Sequence, residues 1–412
     1  MPGLRRGRCR QKPACCPVQV RQAGHVYIGN ERMEGKRGMS GESSGHSYQL
    51  DFYKFFFACS ILVLHTVRHL LPDSKRLNTM IAAWGNLSVH FFFVISGILM
   101  VNSYVKYRKR CGEVSRTPGK DSLSMILHKF WKMADIYYIT FFMNYFLKSA
   151  RFFVDYDPGK ALSRSIRLML QGIPELLVLH MSGIRTASMN PVTWYISAML
   201  IAMLPLLFLL IRNKDTFLHI IAPLTAMVIF AWFYKGGDIF SNQNNWNVVV
   251  TIGVMRAVCG LCFGVLCWET ADFLRSISER DKRVSRILTG LEAVLFVSFI
   301  YFWFIMKKDI KTAYPMMILI ALLLAIAWSG KSMWSRLFEA RCFRYLNKWS
   351  VYLFFTHEAA LRTLENFVFK PDQKISKELA FASVTGLSVL LSIIVWVIIK
   401  LLKRPKRAGA GN

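Results

Sequence analysis

LSVHFFFVISGILMVNSY, residues 87–104, carries one side chain that ionises near neutral pH, His90, in eighteen residues, with a Ser96-Gly97 pair at its middle. As a helix it is ~27 Å long at 1.5 Å per residue, close to the ~30 Å hydrocarbon core of a bilayer. An apolar helix that keeps an imidazole and a small-residue notch has a use for both, because polar groups at bilayer depth are costly. The preceding segment, FFFACSILVLHTVRHLL (55–71), repeats the pattern with His65 inside an apolar run.

The whole chain agrees with a membrane reading. Of its 412 residues 54% are hydrophobic and only 19% are charged, too few to cover a soluble protein of this size. The mean hydropathy is +0.33. The net charge of +29 falls between the apolar segments. That is the pattern of basic cytoplasmic loops, and it argues against nucleic acid while favouring contact with membrane lipid or an anionic substrate. Cys259, Cys262 and Cys267 lie in AVCGLCFGVLCW without nearby His or carboxylate, so they read as small apolar packing residues. No metal site and no disulfide framework is read from the sequence.

Residues 1–47 are rich in Arg and Gly and read as a disordered basic extension, with Met33 or Met39 as a candidate true start. Residues 48–402 form the transmembrane domain and 403–412 a basic cytoplasmic tail. Apolar segments run over 52–71, 84–104, 125–147, 192–211, 217–234, 248–268, 288–306, 312–328, 350–368 and 379–402. A weaker one, 165–181, contains Gly172, Pro174 and Glu175. If it does not cross, the basic stretches 105–124, 269–287 and 329–349 all fall on one side with both termini, as the positive-inside rule demands. The expectation is an all-α polytopic membrane protein of about ten spans, both termini cytoplasmic, with one interfacial or re-entrant helix. The outer loop 148–191 is then a candidate lid.

On that topology four ionisable groups fall in the outer half. Counting from the segment ends at 1.5 Å per residue, His65 lies ~10 Å, His90 ~9 Å and Arg256 ~12 Å from the outer edge, and Arg362 lies ~18 Å along its helix. Lys54 and His65, eleven residues apart, differ by ~20° and share a helical face with Asp51 nearby. Gly97 shares a face with His90 and would let a backbone or a thin ligand come close. Lys129 and Lys132 sit at the cytoplasmic edge, with Asp135 a partner for Lys132, while His357 and Glu358 count as ~10 Å from the inside. Each has a second reading: the lysines can snorkel to headgroups, His65 and His90 can be hydrogen-bonded core residues, and Arg256 can be a structural ion-pair partner.

A neutral imidazole in this setting suits general-base work on an acceptor hydroxyl, with an arginine to stabilise the oxyanion. A phosphate-rich donor from inside and a hydroxyl acceptor from outside would meet at such a base. The same groups would also suit a carrier or exporter of a glycan or acylated substrate, although no internal pseudo-symmetry is visible.

Three patterns stand in order: LDFYKFFFACSILVLH (50–65), FFFVISGIL (91–99) and LNKWSVYLFFTH (346–357), with NPVTWYISAML (190–200) a weaker fourth. Together they resemble the membrane acyltransferase-3 family of bacterial O-acyltransferases. The resemblance implies ten spans and an acyl-CoA donor, usually acetyl-CoA, with no permanently bound cofactor. It also implies a carbohydrate or lipid-linked sugar acceptor, a bacterial cell membrane location and His65 as the catalytic histidine. Lys54 and Lys132 stand where the family usually has Arg, which loses bidentate phosphate recognition. No soluble domain follows the last helix, as in the stand-alone form of such enzymes. The expected catalytic set is His65, Arg256 and His90; the expected donor-binding set is Lys54, Lys129, Lys132, Ser96, Gly97 and His357.

Overall fold

The computed structural model describes residues 48–403 apart from 74, 112–116, 185, 237–244, 247–249, 306–309, 339–340 and 370–374. The terminal stretches 1–47 and 404–412, which hold the expected extension, the candidate start residue and most of the basic tail, lie outside the described residues.

The described chain is helical, with one isolated bridge between Trp246 and Thr251. In order come α1 (Tyr48–Leu70), α2 (Lys75–Cys111), α3 (Pro118–Trp131), α4 (Ala134–Asp155), α5 (Pro158–Gln171), α6 (Ile173–Leu176) and α7 (Trp194–Arg212). Next, α8 (Lys214–Thr216) passes through a π turn into α9 (Ala222–Lys235), followed by α10 (Ile252–Arg280), α11 (Lys282–Ile305) and α12 (Ile310–Ser329). The chain ends with α13 (Trp334–Leu337), α14 (Arg341–Thr363) and α15 (Lys377–Leu402). Among the described residues, seven helical stretches are long and apolar enough to cross a membrane: Tyr48–Leu70, Leu87–Arg110, Pro191–Arg212, Lys214–Lys235, Ile252–Arg280, Lys282–Phe302 and Lys377–Leu402.

Burial sorts these helices. The apolar windows of α2 and α10 are 72% buried, whereas those of α11 and α15 are 22% and 28% buried. Val294 and Val297 of α11 and Leu390 and Ile394 of α15 are exposed. In water this would be an aggregation surface; in a bilayer it faces acyl chains. The protein is a multi-pass membrane protein.

Glycines set the centre. A Cβ on Gly97 of α2 would lie 2.1 Å from the Leu261 carbonyl oxygen, and one on Gly264 of α10 would lie 2.1 Å from the Val94 oxygen and 2.7 Å from the Gly97 Cα. Gly260 and Gly264 make a GxxxG face on α10, and a Cβ on Gly260 would strike Phe93 at 2.4 Å. Between helices already in lipid, such backbone contact supplies the dispersion attraction that the hydrophobic effect cannot. Of the two neighbours expected beside Gly97, a backbone or a thin ligand, the backbone of α10 is the one that fills the notch, which corrects the placing of Gly97 in the donor-binding set.

Three boundaries differ from the sequence reading. The apolar run 125–147 is divided between α3 and α4 by a turn at Lys132 and Met133, because Lys129, Lys132 and Asp135 interrupt it. The basic stretch 269–287 is mostly helical, as α10 continues to Arg280 and α11 begins at Lys282. α14 begins nine residues before Ser350, since its first turns carry charges and escape a hydropathy reading. The segment 165–181 falls in α5, of 14 residues, and the single turn α6. α5 at ~21 Å is too short to span.

Replacing Gly97 or Gly264 by Leu forces α2 and α10 apart, costing at least the ~1–3 kcal/mol typical of overpacking. The detergent-solubilised variants should melt several degrees below wild type in a thermal-unfolding assay. An unchanged melting temperature would refute the close contact.

Candidate functional site

α1 and α2 run antiparallel, and two contacts set their register. The Ser60 and Ser88 hydroxyls hydrogen-bond across the interface. Phe57 stacks on Phe91 with ring centroids 4.0 Å apart. His65 lies five residues beyond Ser60 towards the distal end, where α1 finishes. His90 lies two residues from Ser88 in the opposite sense. At 1.5 Å per residue the two imidazoles are offset by ~10 Å along the bundle. The expectation of one shared depth is corrected: segment ends counted from hydropathy could not set a register that Ser60 and Ser88 do set.

His65 belongs to the α1–α14 interface. These helices run parallel: His65 faces His357 with ring centroids 5.2 Å apart, and four residues on, His69 Nδ1 lies 2.9 Å from Glu365 Oε1. His357 and Glu358 are thus level with His65 rather than near the proximal end, a correction that follows from the early start of α14. His357 is buried; its Nδ1 donates to the Leu353 carbonyl at 3.0 Å, which leaves Nε2 as a bare acceptor without a partner among the described residues. Glu358, 1% exposed, pairs with Arg362 one turn later at 2.5 Å. The Nδ1 of His65 is shielded from solvent and unpartnered among the described residues.

His90 and Arg256 form a different cluster. α2 and α10 run parallel, since residues 93 and 97 of α2 meet 260 and 264 of α10 in ascending order. Arg256 therefore lies level with His90, both are buried, and the arginine charge reaches the imidazole. The guanidinium packs over Trp194 of α7, 5.4 Å from the ring centroid. Ser96 bonds through Oγ to the Tyr195 hydroxyl at 2.9 Å, and that hydroxyl also donates to the Phe92 carbonyl at 3.1 Å. Ser96 is thereby occupied in tying α2 to α7.

The proximal end gathers the lysines. Lys54 pairs with Asp51 at 3.2 Å. Burial, then the charges of Lys132 and Lys54, push the Lys129 ammonium down to about 8. Three cations from α1 and the α3–α4 turn thus feel one another, and an anion among them would relieve the repulsion. Asp135 pairs with Lys403 at 2.5 Å, not with Lys132. A separate basic cleft of about 490 Å³ lies between the ends of α2 and α7, lined by Arg108, Lys109, Arg212 and Lys214 with Asp215. Arg108 is eighteen residues from His90, ~27 Å along α2, so the cleft is remote from both histidine clusters.

The segment that carries α6 and the MNPVT turn latches onto α14 beside the histidine interface. Glu175 of α6 is fully buried and accepts from the backbone N–H of Met189 at 2.6 Å and Asn190 at 2.8 Å and from the Thr193 hydroxyl at 3.1 Å. Burial raises its pKa above the usual carboxylate range, and those three donors oppose the rise. Asn190 Nδ2 then donates to the Phe355 carbonyl of α14 at 3.1 Å, and Lys148 of α4 donates to the Ser188 carbonyl. Glu175 thereby shapes the MNPVT turn and, through Asn190, fastens it to α14 two residues from His357. The signal for His69 and Glu365 is their spacing of four residues from His65 and seven from Glu358 on the same faces; Glu175 has none beyond being a charge in an apolar context.

His180, also in this segment, is buried, and burial pushes its imidazole from 6.5 down to about 4. Between these values the unfolded chain takes up a proton that the folded segment refuses, so stability falls as pH drops below 6.5 and levels off near 4. Melting temperatures measured across that window should fall more for wild type than for His180→Leu; parallel curves would show that His180 does not titrate as described.

A comparison with protein families matches residues 47–400 to the family described as "Acyltransferase domain", acyltransferase-3. Comparisons with curated proteins and with solved structures give no significant match.

Proposed function

The chain belongs to the acyltransferase-3 family, and from that premise we propose that it moves an acyl group, acetyl in the first instance, from cytosolic acyl-CoA to a hydroxyl of a cell-surface glycan or lipid-linked sugar. The observation that carries this reading is the α1–α14 interface, where His65 stands beside His357 and Glu358, with the MNPVT turn fastened to α14 two residues from His357. The proximal end is cytoplasmic in this reading. α4, α12 and α14 join the seven apolar helices to make ten spans with both termini inside a bacterial plasma membrane.

The reaction asks four things of the site. The donor's phosphates need cations on the cytoplasmic side, and Lys54, Lys129 and Lys132 supply them. A general base must take the acceptor hydroxyl's proton as its oxygen attacks the thioester carbonyl. His65 is that base, and the Glu358 carboxylate nearby stabilises the imidazolium that forms. Collapse of the tetrahedral intermediate breaks the C–S bond, and the imidazolium returns its proton to the departing CoA thiolate. His357, with its proton held on Nδ1 by the Leu353 carbonyl, offers Nε2 as an acceptor that orients the incoming hydroxyl. Arg256 and His90, ~10 Å further toward the cytoplasm by helical rise, lie on the donor's side of the reaction and bind or steer the donor rather than share a proton with His65.

Two measurements test this with protein in liposomes and labelled acetyl-CoA. His65→Ala should lower transfer or thioester hydrolysis by ~10²–10⁴, the usual range for a lost general base; a wild-type rate would remove His65 from the chemistry. Lys129→Ala should raise KM for acetyl-CoA about tenfold, as expected for one lost charge-assisted phosphate contact of ~1.5 kcal/mol, with kcat little changed. Movement of an acceptor across the membrane without any CoA requirement would favour a carrier instead.

A further inference from the structure

His65 and His69 stand one turn apart on α1, and Glu358 of α14 faces them across the interface. One ligand-capable atom from each of the three lies within 4.8 Å of the other two. Ligand atoms around a tetrahedral zinc with bonds of ~2.0–2.1 Å sit ~3.3 Å apart, so side-chain rotations of about an ångström would complete the triangle.

Three details favour a metal over a plain polar cluster. His69 Nδ1 lies 2.9 Å from Glu365 Oε1. A proton held there leaves Nε2 as the lone-pair donor, the carboxylate–histidine–metal relay found behind most metal-bound imidazoles. Glu358 is 1% exposed, and only its Oε1 has an ion-pair partner, Arg362; Oε2 is buried without a hydrogen-bond partner among the described residues. His65 Nδ1 is likewise buried and unpartnered. A carboxylate oxygen and an imidazole nitrogen left unsatisfied in one place are costly unless something binds them.

We propose that His65, His69 and Glu358 bind one divalent transition-metal ion of the zinc type, and that the bound ion silences the enzyme by occupying the lone pair His65 needs as a base. Two imidazoles and one carboxylate suit zinc and its neighbours, whereas Mg²⁺ and Ca²⁺ prefer all-oxygen shells. The fourth position is open to water, with His357 Nε2 nearby. Arg362, and Lys148 whose charge reaches both Arg362 and Glu358, offset the two carboxylates. Affinity is therefore below that of a structural zinc centre, and the ion exchanges. Binding is independent of the acyltransfer reading; inhibition rests on it.

The test uses the full chain in detergent, stripped with a chelator. Zn²⁺ is titrated against a chromophoric competitor, and Co²⁺ is added separately for its visible ligand-field bands. One Zn²⁺ per chain is expected, undisturbed by excess Mg²⁺. His69→Gln and Glu358→Gln should each weaken binding by about 100-fold or more, and Glu365→Gln by ~10–100-fold, as for a lost outer-shell partner. Each variant's elution profile checks its fold, and a zinc-induced rise in the wild-type melting temperature gives a reading that needs no variant. Absent stoichiometric binding, or variants that bind as wild type does, would overturn the site. Because binding is read without acyl-CoA, an inactive protein that binds zinc sinks only the transfer reading. An active protein whose rate is unmoved by stoichiometric zinc sinks the inhibition.

Discussion

α2 and α10 meet backbone to backbone at Gly97 and Gly264. In lipid, helices gain nothing from burying apolar surface against each other, so close packing must hold them. Gly97, Gly260 and Gly264 let two helices approach until carbonyl oxygens meet Cα atoms. That contact sets α2 at the centre, and α2 sets α1 through the Ser60–Ser88 bond and the Phe57–Phe91 stack. α1 then receives α14 along the face that bears His65. The His65–His357 interface therefore stands two helix interfaces away from these glycines.

The charged groups are spread along the bundle axis rather than collected in one pocket. Cations lie at the proximal end, Arg256 and His90 lie level with each other on α2 and α10, and the histidines and carboxylates of α1 and α14 lie more distal. A donor with phosphates at one end and a thioester at the other matches such a gradient. The latch of Glu175 and Asn190 meets α14 at Phe355, two residues from His357 on its proximal side. The exposed apolar faces of α9, α11 and α15 complete the picture by presenting the bilayer with what it solvates.

How far this was legible in the sequence depended on the kind of information needed. Membrane helices announce themselves by composition, and the shared face of Lys54 and His65 follows from helical geometry. The patterns around 50–65, 91–99 and 346–357 sufficed to suggest the family that residues 47–400 match. Register was not legible: whether His90 is level with His65 depends on which serines pair, and hydropathy says nothing of that. Nor was the start of α14 legible, because RCFRYLNKW carries its charges on a helix that extends past the apolar core. That error put His357 and Glu358 at the wrong end. Gly97 illustrates a third limit, since a small residue marks a close approach without saying whether the neighbour is ligand or backbone.

In the proposed reaction a donor held by the proximal lysines delivers its thioester to His65. An experimental structure of the protein with a non-hydrolysable acetyl-CoA analogue tests this. Phosphate density is expected among Lys54, Lys129 and Lys132, with the thioester mimic at the α1–α14 interface beside His65. An analogue seated in the cleft of Arg108 and Arg212, with its acyl end away from His65, would contradict it.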